Sequence, residues 1–205
     1  MNTQYENILG SERTVEVEFI NSCLKRYITS PLNVLDVGGI PSKEEDHRSV
    51  YETLNHLKMF DYQYDICDFR GGKYQGDFVT IDIPQIYDIV IFLSSLEHFP
   101  QCTEGDLKFR EGEDRKGFEK ALKVLKPKGK IFLTVPFGKH IWQPYHQNYD
   151  YSGILELSKG SKIVEQYVYR LKDNTWELVD NLNDMLEVRY TNKAYGVGCF
   201  VFEKE

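Results

Sequence analysis

Cysteine is scarce and scattered. Cys23, Cys67, Cys102 and Cys199 form no C-x-x-C pair, and the five histidines do not cluster near them. That pattern fits neither a zinc site nor a disulfide framework, so no metal is expected and a reducing, cytoplasmic setting is. No apolar run approaches the length needed to span a bilayer, and the first residues carry neither a basic n-region nor an apolar h-region. Positive charge is in deficit: 25 Lys and Arg stand against 32 Asp and Glu, for a net charge of −7. This argues against nucleic acid and anionic membrane as partners. The lysine-rich run from Arg115 to Lys130 reads as the solvated face of a helix and the turn after it. Internal repeats and low-complexity tracts are absent.

What is present is the material of a core. Hydrophobic residues make up 41% of the chain, with 14 Tyr and 12 Phe among 205 residues, enough for a single domain over residues 1–205. Ser11 to Ile28 has helical apolar spacing and is stopped by Ser30-Pro31. Asn33 to Val37 is a short buried strand running into Gly38-Gly39. Arg48 to Leu57 reads as a helix and Tyr62 to Asp68 as a strand. Tyr87 to Leu93 is a continuous apolar run, as a parallel strand covered on both faces requires. A helix over Arg115–Leu125 ends at Lys126-Pro127-Lys128-Gly129, before a strand over Ile131–Val135. A short helix near Ser152–Leu157 and strands near Ile163–Tyr169 and Val197–Phe202 follow. The alternation predicts a doubly wound α/β fold: a mostly parallel, seven-stranded, Rossmann-like sheet with helices on both faces.

In such a sheet, ligands bind beyond the carboxyl ends of the strands. Those ends carry Asp36, Gly38 and Gly39, then Asp68, then Gly76-Asp77, then Ser94-Ser95-Leu96-Glu97-His98, then Pro136-Phe137-Gly138-Lys139-His140. The ordered set Val34-Leu35-Asp36-Val37-Gly38-Gly39, Ile66-Cys67-Asp68-Phe69-Arg70 and Gln75-Gly76-Asp77-Phe78 resembles the cofactor-binding half of the class I S-adenosylmethionine (SAM) dependent methyltransferases. Tyr87–Ile91 with Ser95–His98, and Ala121–Lys130 before a strand, are similar to the same superfamily. The resemblance runs from about Asn33 to Gly138. It departs at Ile40 and Pro41, where a second glycine is usual.

The resemblance implies SAM as cofactor and methyl transfer as activity. Gly38 and Gly39 permit a tight turn and close backbone approach to the ligand, and helix amides beyond them favour its carboxylate. Asp36 can hold the ammonium, directly or through water. Asp68 can accept from the ribose hydroxyls, with Asp65 as competitor. Asp77 and the amide of Phe78 meet adenine, and Ser94, Leu96 and their neighbours enclose it.

For the chemistry itself, His98 stands where the donor methyl should lie and is the candidate general base for a hydroxyl acceptor; alternatively it packs beside adenine as scaffold. His140 and His146 belong to an aromatic segment, with Trp142 and Tyr145, suited to a sugar or other ring-bearing acceptor. Residues 101–114 and 139–151 are expected as active-site loops, and residues 1–30 as an N-terminal helix or lid. The expected partner is a small-molecule, sugar or lipid-linked acceptor. Two rivals stand beside this reading: a binding module of the same fold without turnover, and a nicotinamide-dependent oxidoreductase. The latter calls for a fuller G-x-G-x-x-G than Ile40 and Pro41 allow.

Overall fold

The computed structural model describes residues 11–27, 31–39, 62–101, 110–142, 147–189 and 194–205. The expected helix over Arg48–Leu57 lies outside them, as do Tyr145 and His146. Helix α1 (Arg13–Tyr27) opens where Ser11 Oγ accepts the Arg13 backbone N–H at 3.3 Å, a side-chain cap for an otherwise unpaired donor. Strands β1 (Leu32–Val37), β2 (Tyr62–Asp68), β3 (Gly71–Gly72), β4 (Tyr74–Gln75) and β5 (Tyr87–Leu93) follow. A 3-10 turn over Leu96–Gln101 leads towards helix α2 (Glu113–Val124), which passes directly into β6 (Leu125–Pro136). The rest comprises β7 (Ile141–Trp142), β8 (Gln147–Asn148), helix α3 (Tyr151–Leu157), β9 (Ser161–Lys172), β10 (Thr175–Leu178) and β11 (Gly196–Lys204).

The main sheet has the order β10-β9-β11-β6-β5-β1-β2-β4. Pairing is parallel from β4 to β6 and antiparallel where β11, β9 and β10 join. This is the mostly parallel sheet expected, with eight strands rather than seven. The additional hairpin partner is β10, joined to β9 through Asp173 and Asn174, both at positive φ (48° and 62°). That backbone is what a two-residue hairpin turn needs. A second difference lies at Leu125, expected on the helical stripe. Its ψ of 141° already belongs to the strand, where it pairs with Tyr87.

Strand alternation sends side chains to two separate cores. Val34, Ile89, Ile91 and Phe132 pack with Phe19, Ile20, Cys23 and Leu24 of α1. Leu35, Val90, Phe92 and Leu133 pack on the other face with Phe118 and Ala121 of α2 and Ile154 of α3. Helices thus cover both faces. The chain steps from β1 to β2 on one side and to β5 on the other, so strand order reverses at β1. The crevice beyond the ends of β1 and β5 is the one such a reversal opens.

Candidate active site

Gly38 lies at that reversal. Its φ is +83°, and a Cβ built on it would fall 2.6 Å from Ser95 Cβ. Its N–H donates to Cys67 O at 2.9 Å, and Ser95 Oγ donates to Val37 O at 2.6 Å. The turn after β1 is therefore pinned to β2 on one side and to the segment after β5 on the other. Only glycine satisfies both the backbone angle and the contact. Gly39 serves a different neighbour: a Cβ there would meet the Asp36 carboxyl carbon at 2.5 Å.

A cavity of about 430 Å³ opens beside this turn. Of the sequence-predicted residues, Gly38, Asp68, Asp77, Phe78, Ser94 and His98 line it. Asp68 is buried and oriented, with Oδ1 accepting the Arg70 backbone N–H at 2.7 Å and Arg70 Nε at 3.3 Å. Asp77 Oδ1 accepts the Val79 N–H at 2.9 Å, which closes a tight Asx turn and fixes the carboxylate at the cavity wall. The ring of Phe78 packs edge-on against Phe92 and Phe99, with centroids 5.8 and 6.2 Å away.

The other predicted residues stand elsewhere. Asp36 is 1% exposed, accepts from the Tyr64 hydroxyl and is not part of the cavity wall. Leu96 points the other way: the 3-10 turn buries it in the core against α2 and presents Phe99 to the cavity. His140 is exposed and off the cavity wall. Of the two expected loops, the described parts divide. Arg110 and Glu113 line the cavity. Gln147 and Tyr149 instead turn inward, and both hydrogen-bond the buried Asp114, the Tyr149 hydroxyl at 2.8 Å. Burial beside Asp114 pushes the Tyr149 phenol well above its ordinary range, so it remains a neutral donor there.

Asp65 and Asp68, the competitors for one role, have separate surroundings. Asp65 Oδ2 accepts from the Tyr87 hydroxyl at 2.6 Å, Gln63 Nε2 at 2.5 Å and Lys73 Nζ at 2.7 Å, and Asp65 is not part of the cavity wall. Asp65→Asn should therefore lower the melting temperature, by about 1–3 kcal/mol of stability for a damaged buried network. Asp68→Asn should leave stability nearly unchanged and weaken nucleoside binding instead. Equal melting temperatures for the two variants in a thermal scan would contradict this division.

At the end of β5, Ser94 is a non-glycine residue at φ 46°, a conformation that costs energy and recurs at functional sites. Its N–H donates to Thr134 Oγ1 at 3.0 Å, and its hydroxyl donates to Glu97 Oε1 at 2.5 Å. Glu97 is 1% exposed. His98 reaches the cavity wall with Nε2 3.8 Å from Glu97 Oε1. A buried carboxylate thus stands behind a half-exposed imidazole. Arg110 and Glu113 fall in the expected active-site loop and Arg13 in the expected N-terminal helix or lid, with no individual role assigned to any of them; Phe99 at the cavity was not foreseen. The aromatic character of Phe99 and the break before α2 at Gly112 were the available signals.

No protein-family model matches the chain, and no curated protein matches it in sequence. Solved structures do. A SAM-dependent methyltransferase from Methanosarcina mazei superposes with a TM-score of 0.55 at 12% identity, over 89% of this chain and 96% of that one. The N-methyltransferase NodS from Bradyrhizobium japonicum, solved with S-adenosylhomocysteine, gives 0.52 at 10% identity, over 99% and 93%. The fold is that of the class I SAM-dependent methyltransferases. The methyltransferase fold is also shared by the [4+2]-cyclase SpnF, at a TM-score of 0.59 and 12% identity over 95% and 83%. The activity of this chain must accordingly be argued from its own cavity.

Proposed function

We propose that the protein is a SAM-dependent methyltransferase acting on a small-molecule or carbohydrate-like acceptor. The observation that carries this reading is the convergence of Gly38, Asp68, Asp77 and His98 on one cavity at the point where strand order reverses. The residues fit the cofactor. A side chain at position 38 would collide with Ser95, so the glycine lets the turn after β1 pack against the segment after β5 and form the cavity floor. Asp68 Oδ2 is the acceptor for the ribose hydroxyls, since both local bonds fall on Oδ1. Asp77 takes the adenine amino group, and Phe78 and Phe99 supply the apolar wall. When bound, SAM supplies a methyl group on a sulfonium, ready for displacement.

What remains for the protein is positioning and proton removal. The backbone turn at Gly38 and the strained Ser94 fix the floor between the ends of β1 and β5. His98 faces the cavity and accepts the proton of a hydroxyl acceptor as the new bond forms. Glu97 is buried behind it, with Oε1 3.8 Å from the imidazole Nε2. Asp36 contributes by fixing the turn: its carboxylate fills the space beside Gly39.

Calorimetric titration tests the reading. S-Adenosylhomocysteine (SAH) and SAM should both bind, and NAD should not. Label from SAM should then appear on an acceptor in a pooled cell extract. Binding of NAD without SAH would overturn the reading in favour of a nicotinamide enzyme. Binding of SAM with no labelled product from any extract would favour a module that holds the cofactor without turnover.

A further inference from the structure

The edge strand β10 is tied to the helix that reaches the cavity. It pairs with β9 alone, with Trp176 opposite Leu171, and is separated from β5 by β9, β11 and β6. The half-buried Trp176 ring packs on the core beneath α1, the one built on Phe19, Ile20 and Leu24. Its Nε1 donates to the backbone carbonyl of Ser11 at 3.0 Å, a contact between residues 165 positions apart. That carbonyl already accepts the Thr14 N–H at 3.2 Å within the first turn of the helix. The indole bond is therefore not needed to satisfy it, since carbonyls at a helix start have donors of their own. What the bond adds is position. Phe19, Ile20, Cys23 and Leu24 anchor the rest of α1 in the core, whereas Ser11 to Thr14 are half-buried or exposed. Among the described residues of α1, only Arg13 lines the cavity, and its Nη1 donates to Leu93 O at 3.4 Å. The start of the helix is thus tied to the sheet twice, by Trp176 to the edge hairpin and by Arg13 to the end of β5.

We propose that Trp176 is a positioning residue for the cofactor: its indole holds the first turn of α1 against the cavity, and β10 is the arm that carries it there. The inference rests on the methyltransferase reading and adds to it a residue remote from the ligand. Trp176 is not part of the cavity wall and acts through the backbone of Ser11. The turn at Arg13 has two arrangements, one closed on the cavity and one withdrawn from it. A neutral hydrogen bond present only in the closed arrangement shifts the balance between them by roughly two- to tenfold. A ligand enclosed by that turn escapes through the withdrawn arrangement, so its dissociation slows in the same proportion. The ring's packing keeps the hairpin on the core, and the ring's N–H sets the closure.

The test is Trp176→Phe, which keeps an aromatic ring on the core and removes the donor. Labelled SAH, chased with excess unlabelled SAH, should leave the variant roughly two- to tenfold faster than wild type. The dissociation constant should rise by no more than that factor. Amide exchange at Thr14, Val15 and Glu16, whose N–H bonds close the first turn, should speed by the same factor in the free protein. Ile154→Val, in the core on the other face of the sheet, is the control for stability. Each variant should lower the melting temperature by about 2–4 °C, and Ile154→Val should release SAH at the wild-type rate. In an Arg13→Met background the effect of Trp176→Phe on release should vanish, because Arg13 carries the position of the turn to the cavity. A wild-type release rate in Trp176→Phe, equal acceleration in Ile154→Val, unchanged amide exchange, or independent effects in the double variant would each overturn the inference while the methyltransferase reading stands. Failure of wild-type protein to bind SAH would overturn both.

Discussion

Gly38→Val should abolish SAH binding, with a loss of more than about a hundredfold, for which about 2.8 kcal/mol of lost or blocked contact suffices. Two costs coincide at this position. A β-branched residue at φ +83° adopts a conformation that costs roughly 1–2 kcal/mol. Its Cβ would also lie 2.6 Å from Ser95 Cβ, an overpacking that costs about 1–3 kcal/mol. Relief requires the Ser94-Ser95 segment to withdraw, which breaks the Ser95 hydroxyl bond to Val37 O and reshapes the cavity floor. Gly160→Ala is the control. Its φ is +85°, but the nearest atom to an added Cβ is Leu122 Cδ1 at 3.5 Å, so it carries the backbone cost alone. A thermal melt should show both variants destabilised, Gly38→Val the more, and calorimetry should show Gly160→Ala binding SAH normally. Normal binding by folded Gly38→Val would remove the ligand from the turn after β1.

The second large effect is on turnover. His98→Ala should lower kcat by roughly 10²–10⁴-fold on a hydroxyl acceptor, the usual worth of a general base. The affinity for SAH should change by less than about threefold, because the half-exposed imidazole serves the reacting hydroxyl and not the nucleoside. Single-turnover assays with labelled SAM read the first number, and calorimetry reads the second. His140→Ala should retain full activity, since that side chain is exposed and away from the cavity wall. A loss of SAH affinity in His98→Ala with kcat preserved would make the imidazole a scaffold beside adenine. Full activity in both variants would move proton removal to another group or to solvent.

Much of this arrangement was legible in the sequence because it is local. The apolar run Tyr87–Leu93 can only be a strand covered on both faces, and it is buried almost throughout. Gly38, Asp68 and Asp77 follow their strands immediately, so placing the strand ends placed the residues. Asp65 and Asp68, three apart in one strand, face opposite ways, which is why their surroundings differ; alternation alone does not say which face meets the ligand. What was not legible depends on direction or on distance. Leu96 and Phe99 lie in one 3-10 turn, and the sequence does not say which of the two faces the ligand. The fixed carboxylate of Asp36 is settled by Tyr64, 28 residues away. The inward turn of Tyr149 depends on Asp114, 35 residues earlier. Strand β10, Thr-Trp-Glu-Leu, alternates but over only four residues, too few to stand out; the Asp173-Asn174 pair before it was the other local mark.

The position of β11 has a consequence for how the molecule comes into being. Its residues, Gly196–Lys204, are inserted between β6 and β9, pairing with Pro136–Lys130 on one side and Arg170–Ser161 on the other. The strand is nearly all buried, with Val197, Cys199 and Val201 on one core and Phe200 and Phe202 on the other. A nascent chain that has reached Leu178 can already close the β9–β10 hairpin and can lay β6 beside β5. It cannot join these two pieces, and each presents an unpaired apolar edge until residue 204 is available. Those edges are the surfaces on which partly made chains adhere to one another. Assembly of the sheet is thus a late, long-range event, slow for its size in the way that non-local strand pairing is.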